Sequence, residues 1–380
     1  MIGSMTLAMR PQPLSIAPLV RAAAGLLSDR SEPSAPPRLV AAEMRPKPQN
    51  PRAGTVARVP FYHRSGTVAL LDDDPDFVEM LASALPKGWR VRTFLSPSSC
   101  LDYLQQQPPQ WEADFWTQQE LIAEWRTGVP IIPLVLRYWA STPSRTELTK
   151  VLILDYMMPA RDGLDTLRDL ADWPGHRVLM TGVFDDRLAI DAFNAGLIDH
   201  FIVKQHASLR GALVEMVEGL LARPNARYHQ IWSSALTPPQ MLLLQRPDVA
   251  EELLAFLRAS FTEWVLVGEP FGVLGLDTRG AAHWVQLEPG RHLRDLADLA
   301  REAGMADEDV AEIRAGRKLT NLEVRRTLGM RGGDMLPARQ VGDEAGVLYA
   351  AVTRIELRGS PEASSVSGHQ AGPPTNENTY

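Results

Sequence analysis

The chain has 380 residues, 45% of them apolar and 22% charged, a globular composition long enough for two or three domains. Its formal net charge of −7 argues against nucleic-acid binding through bulk positive charge, and its single cysteine, Cys100, excludes an internal disulfide and a cysteine-built zinc site. No run of 18 or more apolar residues occurs, so no membrane-spanning helix is expected, and the cysteine usage suits a reducing cytoplasm.

Residues 1–65 read as a disordered, basic, proline-rich arm. Of the 30 prolines, ten fall in the first 60 residues, and nine Lys/Arg stand against Asp29, Glu32 and Glu43. Such a segment buries too little apolar surface to offset the entropy of ordering it. A basic partner-binding arm is the alternative.

Residues 66–222 alternate strand and helix patterns. Strands are expected at 67–71, 90–95, 151–154, 177–180 and 200–203, and helices at 77–85, 96–107, 163–171, 188–195 and 207–221. This (βα)5 alternation predicts an α/β domain with a parallel sheet covered on both faces. An extra segment, 108–150, interrupts it. It holds Trp111, Trp116, Trp125 and Trp139, and its apolar spacing predicts a helical hairpin that packs on the domain or on a partner.

Residues 223–236 read as a linker. Residues 237–358 read as a smaller α+β domain, with a helical stretch 238–260 broken at Pro247, strands near 264–267, 273–276 and 283–287, helices at 291–303 and 307–315, and a closing strand within 346–357. Residues 359–380 read as a disordered tail.

Three strand ends in the first domain carry chemistry. Asp72, Asp73 and Asp74 follow the first strand, Asp155 the third, Thr181 the fourth and Lys204 the fifth. In a parallel sheet these ends converge on one edge, where ligands bind. Clustered carboxylates resist ionisation unless a cation joins them, and a hard divalent ion such as Mg²⁺ suits an all-oxygen donor set. A lysine and a hydroxyl beside them supply donors for a phosphoryl group.

These residues, with Asp155-x-x-Met-Pro-x-x-Asp-Gly163 and Thr181-Gly182, make residues 66–222 resemble the receiver domain of bacterial two-component response regulators. Asp155 to Thr181 spans 26 residues and Thr181 to Lys204 spans 23, as in that family; Asp73 to Asp155 spans 82, and the Trp-rich insert accounts for the excess. The resemblance implies a flavodoxin-like fold, Asp155 as phosphoacceptor, and Mg²⁺ held by Asp72, Asp73, Asp155 and the backbone carbonyl of Met157. Thr181 and Lys204 would contact the phosphoryl group and Phe201 would be the switch aromatic. The partner is then a sensor histidine kinase or phosphotransfer protein, with a homodimer open to it, and the chain is a cytoplasmic signalling protein rather than an enzyme acting on a separate substrate. Asp74 is expected to cap the next helix.

Two departures stand out. Gln205 replaces the proline that the family keeps after its lysine, and a cis bond before a non-proline costs about 2.5–4 kcal/mol, so a different loop path is expected. Met157 and Val183, two beyond Asp155 and Thr181, cannot orient an attacking water, which predicts slow loss of the phosphoryl group.

The second domain gives weaker signals. Residues 296–316 are similar to the helix-turn-helix of repressor-type DNA-binding domains, but the helix that would enter the groove opens on Asp307, Glu308 and Asp309. Residues 228–358 contain 15 Lys/Arg and 19 Asp/Glu, and Arg314, Arg317, Lys318, Arg325 and Arg326 form the dense basic cluster there. A protein-interaction output is the leading expectation and DNA binding the rival. The insert, with residues 194–201, also faintly resembles regulators tied to α-hydroxyketone quorum signalling. His206, His229, His283 and His292 lack metal-ligand spacing, and Trp264 and Trp284 are expected to be core.

Overall fold

The computed structural model describes residues 58–355 apart from 160, 183–185, 206–207 and 345. The expected tail, most of the expected arm, Val183 and His206 therefore lie outside the described residues. Residues 58–355 fall within one compact unit.

Five strands form a parallel sheet in the order β3-β2-β4-β5-β6: β2 (Thr67–Leu71), β3 (Arg90–Phe94), β4 (Thr149–Asp155), β5 (His176–Thr181) and β6 (His200–Val203). The alternation predicted the parallel sheet, and this is the flavodoxin-like order that the resemblance implied. The sheet is buried on both faces, which explains why β2 and β4 are almost continuously apolar. Alternation sorts the side chains. Ala69, Leu71, Leu152 and Leu154 pack with Leu101 and Leu104 of α2 (Pro97–Leu104) and Leu164 and Leu167 of α5 (Gly163–Arg168). Val68, Leu70, Val151 and Ile153 pack on the other face with Leu81 of α1 (Pro75–Ala84) and Leu213 and Val217 of α7 (Leu209–Leu221). Between β5 and β6 runs α6 (Asp186–Asn194).

The insert forms two helices, α3 (Pro108–Arg126) and α4 (Ile131–Ser141). Its tryptophans divide: Trp111 and Trp139 are buried, whereas Trp116 is 57% exposed. Residues 223–236 are not simply a linker. Asn225 caps α8 (Ala226–Ser233), whose Trp232 is buried and donates from Nε1 to Gln118 Oε1 on α3 at 2.6 Å. Tyr228 and Trp232 thus fix the helix against the insert, and both lie one helical turn apart on one face.

The second sheet has six strands in the order β1-β7-β8-β9-β13-β12. They are β1 (Tyr62–His63), β7 (Glu263–Gly268), β8 (Phe271–Leu276), β9 (Ala282–Pro289), β12 (Arg339–Val341) and β13 (Leu348–Arg354). Trp264 and Trp284 are buried in it, as expected of core residues. Helices α9 (Pro238–Leu244) and α10 (Pro247–Ser260) show the break at Pro247. A pair of helices, α11 (Leu293–Glu302) and α12 (Asp307–Arg314), packs with a ribbon of β10 (Lys318–Thr320) and β11 (Met335–Pro337), followed in sequence after β10 by α13 (Leu322–Thr327).

Strand β1 changes the domain description. The arm was expected to reach residue 65, yet Tyr62 and His63 pair with Val265 and Trp264 as an edge strand of the second sheet. Leu266 N–H donates to Phe61 O at 2.8 Å, and Trp264 Nε1 to Pro60 O at 3.1 Å. The parallel domain is therefore inserted between the first and second strands of the antiparallel one. A two-residue edge strand carries no readable alternation, so nothing in its own sequence announces it. The closing strand falls within 346–357 as expected, at β13, and lies inside the sheet between β9 and β12.

Candidate functional site

The acidic edge is built by the C-terminal ends of β2, β4, β5 and β6. Asp72 is 2% exposed, Asp155 4% and Thr181 1%, while Asp73 is open to solvent. One ligand oxygen from each of Asp72, Asp73 and Asp155 lies within 4.8 Å of the others. That is a compact all-oxygen donor set, and it fits a hard divalent cation such as Mg²⁺.

Lys204 reaches into the cluster. Its Nζ donates to Asp72 Oδ2 at 2.6 Å and lies 2.9 Å from Asp155 Oδ1. Burial lowers the lysine's proton affinity, but its bonds to Asp72 and Asp155 outweigh that and hold it above the ordinary value. Burial pushes the Asp155 carboxyl up, the Asp72 charge adds to this, and Lys204 opposes it. The Lys204 ammonium also sits 4.5 Å from the centre of the Phe77 ring on α1, a cation–π contact. Phe77 has the signature of any core residue on a helix, so nothing in the sequence singles it out for this position.

Local structure fixes the carboxylates. Asp72 Oδ1 accepts the Asp74 N–H at 3.1 Å, which turns the acid run back toward the sheet. Asp74 caps α1 as expected: its Oδ1 accepts from Asp76 N and Phe77 N at 3.0 and 3.2 Å. Beyond β4, Asp162 caps α5 by accepting from Asp165 N at 2.7 Å. Gly163 follows because a Cβ there would stand 2.4 Å from the Asp155 carbonyl oxygen, and its N–H donates to Tyr156 O at 2.8 Å. The Asp162-Gly163 pair therefore folds the loop after Asp155 tightly against the strand.

The remaining expected residues are placed as follows. Thr181 ends β5 and its carbonyl accepts from Lys204 N at 2.7 Å. Phe201 pairs with Leu179 in register, is half-buried, and packs against the face holding Leu179 and Leu154. The Met157 side chain is 66% exposed. Among the described residues the cis peptide is Glu269–Pro270, so Lys204–Gln205 is trans. His229 stacks on Phe61 at 4.3 Å, His283 meets Asp277 at 3.1 Å and His292 lies 3.9 Å from Glu288; the structure does not bring them together as a ligand set.

In the helix-turn-helix-like segment, four of the five residues of the basic cluster are paired with acids. Arg314 meets Asp298 at 3.0 Å, Arg317 meets Glu312 at 2.6 Å, Lys318 meets Asp309 at 3.5 Å and Arg325 meets Asp334 at 2.8 Å. Leu296, Ala297, Ala300, Val310 and Ile313 are buried, so the two helices serve as packing for the second sheet.

No protein-family model matches the chain, and no curated protein sequence matches it. Solved structures do. The response regulator LqsR of Legionella pneumophila is similar over 80% of this chain and 92% of its own, with a TM-score of 0.56 and 21% identity. A BeF3-activated DrrB receiver domain is 20% identical over 42% of this chain and 99% of its own, with a TM-score of 0.28. A Francisella response-regulator receiver domain is 14% identical over 41% of this chain and 97% of its own, with a TM-score of 0.27. The LqsR likeness covers far more of the chain than the parallel domain alone, so it takes in the second sheet as well. In fold, this chain is similar to that response regulator, its five-stranded parallel domain included.

Proposed function

We propose that this chain is a response regulator that accepts a phosphoryl group on Asp155. The observation that carries the reading is the meeting of Asp72, Asp73 and Asp155 within 4.8 Å, with Lys204 touching both buried carboxylates. Asp72, Asp73, Asp155 and the Met157 carbonyl would hold Mg²⁺, whose charge offsets the carboxylates and the incoming phosphoryl oxygens. Asp155, largely shielded by the sheet, offers the attacking oxygen. Lys204 holds that carboxylate in place and stands ready to pair with a phosphoryl oxygen, and the Thr181 hydroxyl is set to bond another. The chemistry asks the chain for positioning and charge stabilisation, not for a further nucleophile.

The donor is a sensor histidine kinase or a phosphotransfer protein in this reading, and the cytoplasm is the compartment. Phe201, half-buried beside Leu179, is the side chain whose turning would carry the change to the surface. The output is interaction with a protein partner. The pairing of Arg314, Arg317, Lys318 and Arg325 with neighbouring acids supports this over DNA binding, because it leaves little free positive charge for phosphates.

The test is direct. Acetyl phosphate and Mg²⁺ are expected to add one phosphoryl group to the intact mass, and Asp155→Asn is expected to abolish the addition. Undiminished uptake by Asp155→Asn would move the site elsewhere. A salt-dependent shift of DNA by the full chain would favour the rival output.

A further inference from the structure

Phe77 borders the acidic edge but brings it no charge, proton or ligand atom. Its ring covers the Lys204 ammonium. Lys204 Nζ donates to Asp72 Oδ2 at 2.6 Å and lies 2.9 Å from Asp155 Oδ1, and the centre of the Phe77 ring stands 4.5 Å from the same nitrogen. The ring's own position is tied to one of those carboxylates. Asp72 Oδ1 accepts the Asp74 N–H, and Asp74 Oδ1 accepts the Phe77 N–H. The contacts close a circuit that runs from Lys204 through Asp72, Asp74 and Phe77 back to Lys204. Half-buried, the Phe77 side chain also packs against the core cluster that holds Leu70 and Leu81, which limits how far the ring can swing.

The Lys204 side chain is 20% exposed, so water competes for its strongly hydrated ammonium. Phosphoryl transfer sharpens that competition. A bond forms from an Asp155 carboxylate oxygen to phosphorus, the bond from phosphorus to the donor oxygen breaks, and the donor leaves with the electron pair. The negative charge facing Lys204 then moves from the carboxylate to the phosphoryl oxygens. The ammonium has to follow it without escaping to solvent. An aromatic face suits this task, because its attraction for a cation does not require one fixed N–H direction. The ammonium can turn its donors to a new acceptor and keep the ring as a neighbour. An aliphatic side chain of similar size packs equally well but exerts no such pull.

We propose that Phe77 is a positioning residue for phosphoryl transfer: its ring face keeps the Lys204 ammonium at the acidic edge while the ammonium changes partner from the Asp155 carboxylate to a phosphoryl oxygen. The proposal rests on Asp155 as the acceptor. Phe77 acts through Lys204 alone, and the size of its effect follows from a partly exposed cation–π contact. Loss of the π face is expected to slow phosphoryl uptake about two- to tenfold.

The test follows uptake from acetyl phosphate with Mg²⁺ by intact mass of the full chain. Phe77→Leu is expected to slow uptake about two- to tenfold, and Phe77→Tyr, which keeps the π face, to hold most of the wild-type rate. Mono-, di- and trifluorinated phenylalanine at position 77 keep the ring's shape while draining its negative face, so the rate is expected to fall stepwise along that series. A packing role would leave it flat. The contact itself is read without phosphoryl chemistry. The chain holds five lysines, and with lysine labelled at ¹³Cε the Lys204 methylene protons, identified by their loss in Lys204→Arg, are expected upfield of the other four. They are expected to move downfield in Phe77→Leu. Asp155-dependent uptake at one rate across the fluorinated series, or Lys204 protons without the upfield shift, would overturn the proposal. Undiminished uptake by Asp155→Asn would instead overturn the acceptor reading, and the proposal with it, while the upfield shift stays.

Discussion

The two ends of the parallel sheet handle charge in opposite ways. At the carboxyl ends of the strands, Asp72 and Asp155 share Lys204 beside an exposed Asp73, so the cluster is open on one side and can gain a cation or an anion. At the amino ends, Arg64, Asp114, Arg145 and Glu263 pair off in a sealed interior. The first arrangement has valence to spare and can do chemistry. The second is closed, and its worth lies in joining three parts of the chain in one geometry. A cluster's access to solvent, more than its residue types, separates a site from a joint.

Breaking the sealed end is expected to cost most. Arg145→Met strands the buried Glu263 carboxylate and is expected to destabilise the fold by about 3–5 kcal/mol, measured by urea unfolding. The double change Arg145→Met with Glu263→Gln is expected to recover part of that, since no charge is then left unpaired. A loss below about 1 kcal/mol for Arg145→Met would make the two ends alike.

Lys204→Met tests the open end. Removing the shared ammonium leaves two close carboxylates and is expected to cost about 1–3 kcal/mol without divalent ions. Added Mg²⁺ is expected to raise the thermal midpoint of this variant more than that of the wild type, because the ion replaces the lost positive charge. An equal response in both proteins would break the comparison. The smallest effect is expected for Asp74→Ala, which removes only the cap of α1, at about 1 kcal/mol, with phosphoryl uptake retained.

The parallel domain was legible because its local signals agree. Two-sided burial writes continuous apolar strands, helices follow each at regular spacing, and Asp72, Asp155, Thr181 and Lys204 fall on the ends that topology brings together. The insert was legible as two helices, but its seat was not: Gln118 and Asp114 face α8, over a hundred residues further on. Residues 223–236 looked like a linker because Pro224 and Asn225 punctuate them, and the same Asn225 turned out to cap a helix. The likeness of 296–316 to a DNA-binding motif came from helical spacing alone, which any packed helix pair shares.

By itself the sequence determined the (βα)5 order, the acid run, the placing of Asp155 at a strand end and the cap at Asp74, since each depends on residues within one strand–loop–helix unit. Only the tertiary structure decided that β1 edges the second sheet, that Phe77 lies beside Lys204, and that Arg64–Asp114 and Arg145–Glu263 pair in the interior. Those features join residues tens to hundreds of positions apart. Periodicity and propensity describe a segment's own faces, whereas the partner that covers a face is chosen by long-range packing and by the cost of burying charge without its complement.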